Sequence, residues 1–268
     1  MNRIDMLKEM GITPVWVPRN APATGAAVQS VPDPVQVRKD NDDGRKPLVA
    51  KGFEGDTAAR HSRSAFAADA PAPAGVDPAR SALIARMDWR ELGEAVAGCR
   101  ACALCKGRTN TVFGVGDQHA DWMIIGEAPG QEEDRLGEPF VGQAGKLLDS
   151  MLAALEITRS ARVYIANALK CRPPANRNPE PLEVAQCAPH LVRQIELVAP
   201  KVILLMGRFA VQSILQTDAS IASLRGRVHP YLGIPAVVTY HPAYLLRNLP
   251  DKAKAWEDLL LARSVLAA

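Results

Sequence analysis

Trp122-Met123-Ile124-Ile125-Gly126-Glu127-Ala128-Pro129-Gly130 is the stretch whose reading decides the fold. A short unbroken apolar run meets a turn bounded by glycines, the pattern of a strand buried on both faces that ends abruptly. Similar runs recur at 163–166, 202–205 and 236–239. Between and around them lie helical patterns at 145–155, 180–198, 209–215 and 257–266. A further helix is predicted over 83–96, leading into Cys99. Strands alternating with helices imply an α/β fold whose parallel sheet is covered on both faces.

In such a sheet, ligands bind beyond the carboxyl ends of the strands. The residues standing there are Glu127 after the first run, Asn167 after the second, Gly207-Arg208 after the third and Tyr240-His241 after the fourth. Glu, Asn and His converging on one rim make a plausible active site, although a lone Asn or His at a strand end is more often a cap. The turn 126–130 is neither a P-loop nor a GxGxxG motif, which argues against a nucleotide cofactor. Glu132, Glu133 and Asp134 follow it and read as a solvated helix N-terminus, where acidic side chains suit the helix dipole.

Cysteine spacing adds a second theme. Cys99 and Cys102 stand in C-x2-C spacing, Cys105 extends the group, and Cys171 and Cys187 follow far downstream. Five cysteines in this arrangement do not form a secreted disulfide framework. Thiolates in two separated groups suit a metal centre that staples a long loop, and the spread second pair fits an iron–sulfur cluster better than a zinc ribbon. Spacing alone leaves open which thiols bind.

Composition is permissive. The 268 residues carry a net charge of +3 and are 47% hydrophobic. Local charge is more informative: between 159 and 179 stand Arg159, Arg162, Lys170, Arg172 and Arg177 with no acidic residue. Such a bias suits a phosphate backbone. No apolar leader or membrane-length run is read, so the expectation is a cytoplasmic protein with no membrane partner. Residues 1–19 read as a short helical island, with Ile4, Leu7 and Met10 at helical spacing before Trp16. Residues 20–80 hold one leucine, no isoleucine and the run Ala70-Pro-Ala-Pro-Ala74. That composition predicts a disordered Pro/Ala-rich linker. The island then reads as a docking peptide for a protein partner, or as an unconstrained tail. The catalytic domain is expected over 81–268.

The motifs Cys99-Arg-Ala-Cys102, Gly107-Arg-Thr109, Val112-Phe-Gly114, Gly126-Glu-Ala-Pro-Gly130, Glu133-Asp134, Pro139-Phe-Val-Gly142, Tyr164-Ile-Ala-Asn167, Lys170-Cys-Arg-Pro-Pro174 and His241-Pro-Ala-Tyr-Leu-Leu-Arg247 resemble the family 4 uracil-DNA glycosylases. The resemblance runs from about Cys99 to the C-terminus. It implies a three-layer α/β/α sandwich with a four-stranded parallel sheet. It also implies a 4Fe-4S cluster on Cys99, Cys102, Cys171 and Cys187, with Cys105 free.

For the site, the resemblance implies that uracil in DNA is flipped into a pocket. Phe140 stacks on it, Asn167 reads its Watson–Crick edge, Glu133 excludes the thymine methyl and His241 stabilises the leaving base. Glu127 is left with three roles: orienting water, stabilising the sugar cation or shaping the turn. Ala128, where many relatives have Gly, is expected to tune base tolerance. Arg172 and Arg247 are expected on phosphate, and the Leu245-Leu246 region, Leu246 above all, as a wedge in the base stack. A turnover enzyme acting as a monomer is expected. A broader deaminated-base glycosylase acting on hypoxanthine and a non-catalytic iron–sulfur DNA-binding module are the alternatives.

Overall fold

The structure, a computed structural model, describes residues 76–267. The sequence-based assignments for 1–19 and for most of 20–80 fall outside the described residues. Helix α1 (Pro78–Ile84) is capped by Asp77, whose carboxylate accepts from Ala79 N–H. It therefore starts within the stretch assigned to the linker. Helix α2 (Trp89–Ala97) follows. The single helix predicted over 83–96 is thus two, because Asp88 and Glu91 form a reciprocal capping box that starts a new helix.

The sheet is built from β1 (Val115–Gly116), β2 (Trp122–Gly126), β3 (Val163–Asn167), β4 (Val202–Met206), β5 (Val228–Tyr231) and β6 (Ile234–Thr239). Its order is β1-β3-β2-β4-β6-β5. The β3–β2, β2–β4 and β4–β6 pairings are parallel, with Gly126 beside Asn167 in register. The expected four-stranded parallel sheet is therefore corrected to a mixed sheet of six strands, with β1 and β5 antiparallel at its edges. Both additions are short or half-exposed, and Pro230 lies in β5, so neither has the unbroken apolar run that marks a buried strand.

Alternate residues of each central strand face opposite layers. Ile124, Ile165, Leu204 and Val237 pack with helices α4 (Gln143–Ala154) and α9 (Asp251–Ala267). Met123, Tyr164, Ile203 and Val238 pack with α5 (Pro181–Val198) and α6 (Arg208–Leu215). The result is helix, sheet, helix. Two short helices, α3 (Gln131–Leu136) and α8 (Pro242–Leu245), sit directly after β2 and β6 on the carboxyl rim. Helix α7 (Ile221–Leu224) precedes β5. Among the described residues no helix is long and apolar enough to cross a membrane.

Candidate active site and cysteine centre

The carboxyl rim holds a cavity of about 530 Å3 lined by Glu127, Ala128, Glu133, Phe140, Asn167, His241 and Arg247, among others. The residues standing after β2, β3 and β6 do converge. Gly126 lies between them, and its lack of a side chain is required. A Cβ there would stand 2.4 Å from Asn167 Oδ1 and 2.6 Å from Phe140 Cζ. Asn167 and Phe140 therefore pack against bare backbone.

His241 is the N-cap of α8, and its Nδ1 accepts from Ala243 N–H at 3.1 Å. An accepting Nδ1 leaves the proton on Nε2 in the neutral ring. Desolvation pushes the imidazole down to about 4; Glu133 opposes this and Arg247 adds to it. The ring stacks on Phe140 with centroids 5.3 Å apart and planes 23° apart. Phe140 is buried and holds a left-handed backbone at φ 54°.

Glu133 is a clamp. One oxygen accepts from Gly130 N–H, completing the capping of α3; the other accepts from Val141 and Gly142 N–H at 2.9 and 3.1 Å. Asp134 is buried and accepts from Thr109 N–H. The solvated acidic run predicted here is thus corrected: only Glu132 stays outside, paired with Arg135. Glu127 is also committed. It accepts from Phe209 N–H at 3.2 Å at the start of α6. Burial pushes this carboxyl up, against the N–H groups of Phe209 and Arg208 that stabilise its anion. Gly207, at φ 96°, lets this happen, since a Cβ there would lie 2.4 Å from Glu127 Oε1.

The predicted basic stretch does not form one surface. Lys170 is fully buried, donating to the Asn167 carbonyl at 2.9 Å and to Gln194 Oε1 at 2.6 Å. Arg162 pairs with Asp121, and Arg177 with Glu183. Arg159 bonds loop carbonyls. Arg172 bonds Asn176, and Arg247 is exposed at the cavity rim. Leu245 is completely buried, which removes it from the wedge; Leu246 is 43% exposed.

Close to this cavity, with Ala128 bordering both, the cysteines gather. Cys99, Cys102, Cys105, Cys171 and Cys187 line one small cavity with Arg108, Lys170 and His190. Among the described residues no three His, Cys, Asp or Glu side chains meet as a single ion would need. Four sulfurs accept N–H donors: Cys99 from Arg80 at 3.6 Å, Cys102 from Leu104, Cys171 from Arg108 at 3.1 Å and Cys187 from Lys170 N–H at 3.4 Å. Burial pushes the Cys187 thiol up to about 12 and raises Cys102 and Cys171 as well. Buried thiols facing cationic donors suit a centre that holds them as thiolates. His190 is buried against this cavity, and its Nδ1 has no hydrogen-bond partner among the described residues.

Sequence reasoning missed Arg80, Arg108 and the load on Lys170. Arg80 and Arg108 were hidden because no spacing rule ties a distant guanidinium to a thiol. Lys170 sits beside Cys171, and that adjacency was the available signal. Ala128 packs on the cysteine cluster while lining the rim cavity, so it lies between the two.

A family model described as the uracil DNA glycosylase superfamily matches residues 113–260. The chain is 46% identical over 159 residues to a type-4 uracil-DNA glycosylase of Archaeoglobus fulgidus, covering 56% of this chain and 79% of that one. It is 42% identical to the type-4 uracil-DNA glycosylase of Thermotoga maritima, covering 65% and 93%. A type-5 uracil-DNA glycosylase of Pyrobaculum aerophilum is 31% identical, covering 50% and 66%.

Proposed function

The chain belongs to the uracil-DNA glycosylase superfamily, as a type-4 member, and on that premise we propose how its residues excise uracil from DNA. It is a repair hydrolase: it breaks the N-glycosidic bond and leaves an abasic site. A single observation carries the mechanism. Phe140, Asn167 and His241 share one cavity, with the His241 ring stacked on Phe140 and its tautomer fixed by Ala243.

The flipped base enters this cavity and meets the Phe140 ring. Asn167 presents an amide to the uracil O4 and N3–H edge. Cytosine offers the opposite pattern there, so a fixed amide rejects it. Lys170 supports that fixation by holding the Asn167 carbonyl. As the bond from C1′ to N1 breaks, its electron pair passes to the base. The neutral His241 donates Nε2–H to the developing charge on O2, as an oxyanion hole does. Water then adds to the electron-poor C1′ and loses a proton. Glu127 holds the turn that shapes the pocket rather than the water. Glu133 fixes the loop beside the base. Arg247 and Arg172 are assigned to phosphate, and Leu246 to the vacated stack.

The four sulfurs that accept N–H donors fit a 4Fe-4S cluster, on Cys99, Cys102, Cys171 and Cys187. Among the described residues Cys105 has no such donor, and we assign it as free. When bound, the cluster would supply cross-links between the segments around 99–102 and 171 and helix α5 at Cys187.

The test is abasic-site formation on a uracil oligonucleotide, read by alkaline cleavage, for wild type and His241→Ala. Cleavage by wild type that falls by at least about a hundredfold in the variant supports the reading. Equal rates for both proteins would refute the role of His241.

A further inference from the structure

Arg159 lies in the loop between α4 and β3, outside every motif that carries the family resemblance. Its guanidinium nevertheless reaches under the base pocket. One amino group donates to the Pro139 carbonyl at 3.0 Å; the other donates to the Phe140 carbonyl and to the Gly145 carbonyl at 3.3 Å. Its Nε pairs with Asp149 on α4. Most of the side chain is covered, being 24% exposed.

The loop it holds is unusual. Phe140 has a left-handed backbone, which an aromatic residue adopts only when its surroundings impose it. Gly145 gives the carbonyl its room, since a Cβ there would lie 1.7 Å from Phe140 O. On the opposite side Glu133 takes the next N–H groups, those of Val141 and Gly142. A cation thus gathers the carbonyls before the bend and a carboxylate gathers the amides after it. The residue caught between them is the one whose ring stacks on His241.

We propose that Arg159 is a positioning residue for base capture: it holds Phe140 in the stacked orientation that the flipped uracil meets. The inference rests on the proposed role of Phe140. It predicts that losing Arg159 weakens base binding and does so only through Phe140.

The experiment is a double-mutant cycle on the full, cluster-loaded chain, with KM for a uracil oligonucleotide, inhibition by free uracil and kcat measured for each variant. Base–aromatic stacking is lost when Phe140 swings away, so Arg159→Gln is expected to raise KM and the uracil inhibition constant about tenfold. In the same variant kcat is expected to stay within about threefold of wild type. In a Phe140→Ala background the same substitution is expected to change neither constant by more than about twofold. Asp149→Asn, which removes only the outer pair, is expected to leave KM as in wild type. Should Arg159→Gln fail to fold, Arg159→Lys replaces it. A lysine keeps the charge but cannot span the carbonyls, so an intermediate KM is expected. An Arg159→Lys protein with wild-type KM and uracil inhibition overturns the proposal. So do losses that multiply fully in the double variant. A wild type that neither releases nor binds uracil overturns the base-pocket reading and this inference with it; an active wild type with multiplying losses overturns the inference alone.

Discussion

Gly126→Ala is the smallest perturbation that tests whether the pocket is as tight as its geometry. The backbone at Gly126 lies outside the left-handed region, so alanine faces no conformational penalty there. What it meets is side chains. Its Cβ would stand 2.4 Å from Asn167 Oδ1 and 2.6 and 2.7 Å from two ring carbons of Phe140, where ordinary contact begins at 3.4 Å. Both neighbours must therefore retreat by about 1 Å. Their backbones are held: Lys170 takes the main-chain carbonyl of Asn167, Arg159 takes that of Phe140, and Glu133 takes the N–H of the next residue, Val141. Overpacking of this kind costs about 1–3 kcal/mol of stability. A misplacement of about 1 Å at reacting groups costs on the order of a hundredfold in rate. The assay is single-turnover uracil release from a labelled oligonucleotide, paired with thermal unfolding. Gly93→Ala is the control: nothing lies within 4 Å of a Cβ there, so unchanged excision is expected, with a gain of about 0.5–1 kcal/mol in α2. If Gly126→Ala excises uracil within about threefold of wild type, the cavity is not the base site or its walls move freely, and the reasoning fails.

Other expectations follow from the same geometry. Desolvation holds His241 at about 4 rather than the ordinary 6.5. Activity should therefore persist as pH falls through 6.5 and be lost only toward 4, when protonation of Nδ1 breaks its bond from Ala243. The lowered value also makes His241 contribute stability that is complete above pH 6.5 and is lost between there and about 4. An acid limb centred near 6.5 in a kcat/KM profile would contradict the neutral-donor role. Glu127→Gln should leave the unfolding midpoint unchanged or raise it, because its amide oxygen can still accept from Phe209 N–H while a carboxylate that burial disfavours is removed. It should leave excision within about tenfold; a loss of a hundredfold or more in a folded variant would instead indicate acid–base work. Protein purified without oxygen should be brown and hold about four iron atoms. Cys187→Ser should lose iron and visible absorbance, whereas Cys105→Ser should keep both. Asn167→Asp should admit cytosine to a measurable degree, and unchanged preference for uracil would remove Asn167 from base reading.

The sequence by itself determined the sheet's central strands and the rim where chemistry occurs. Four unbroken apolar runs each bury both faces, a local property that composition displays directly, and Glu127, Asn167 and His241 stand where those runs stop. The cysteine spacing likewise announced that the thiols meet, and all five line one small cavity. The tertiary structure alone decided what each polar group does. Glu133 was expected to stand against the thymine methyl; it lines the cavity and also clamps the N–H groups of Val141 and Gly142. Glu127 was left between orienting water, stabilising the sugar cation and shaping the turn, and its carboxylate accepts from a helix start more than eighty positions away. Lys170 and Arg159 looked like a phosphate-binding stretch, yet one is buried under Asn167 and the other gathers carbonyls beneath Phe140. The edge strands were invisible because β1 is only two residues long and β5 is a four-residue, half-exposed segment with a proline in it. The physical reason is common to all of these. Burial follows from apolar content along the chain, but a hydrogen bond needs a partner at a particular point in space, and here the partners are distant in sequence.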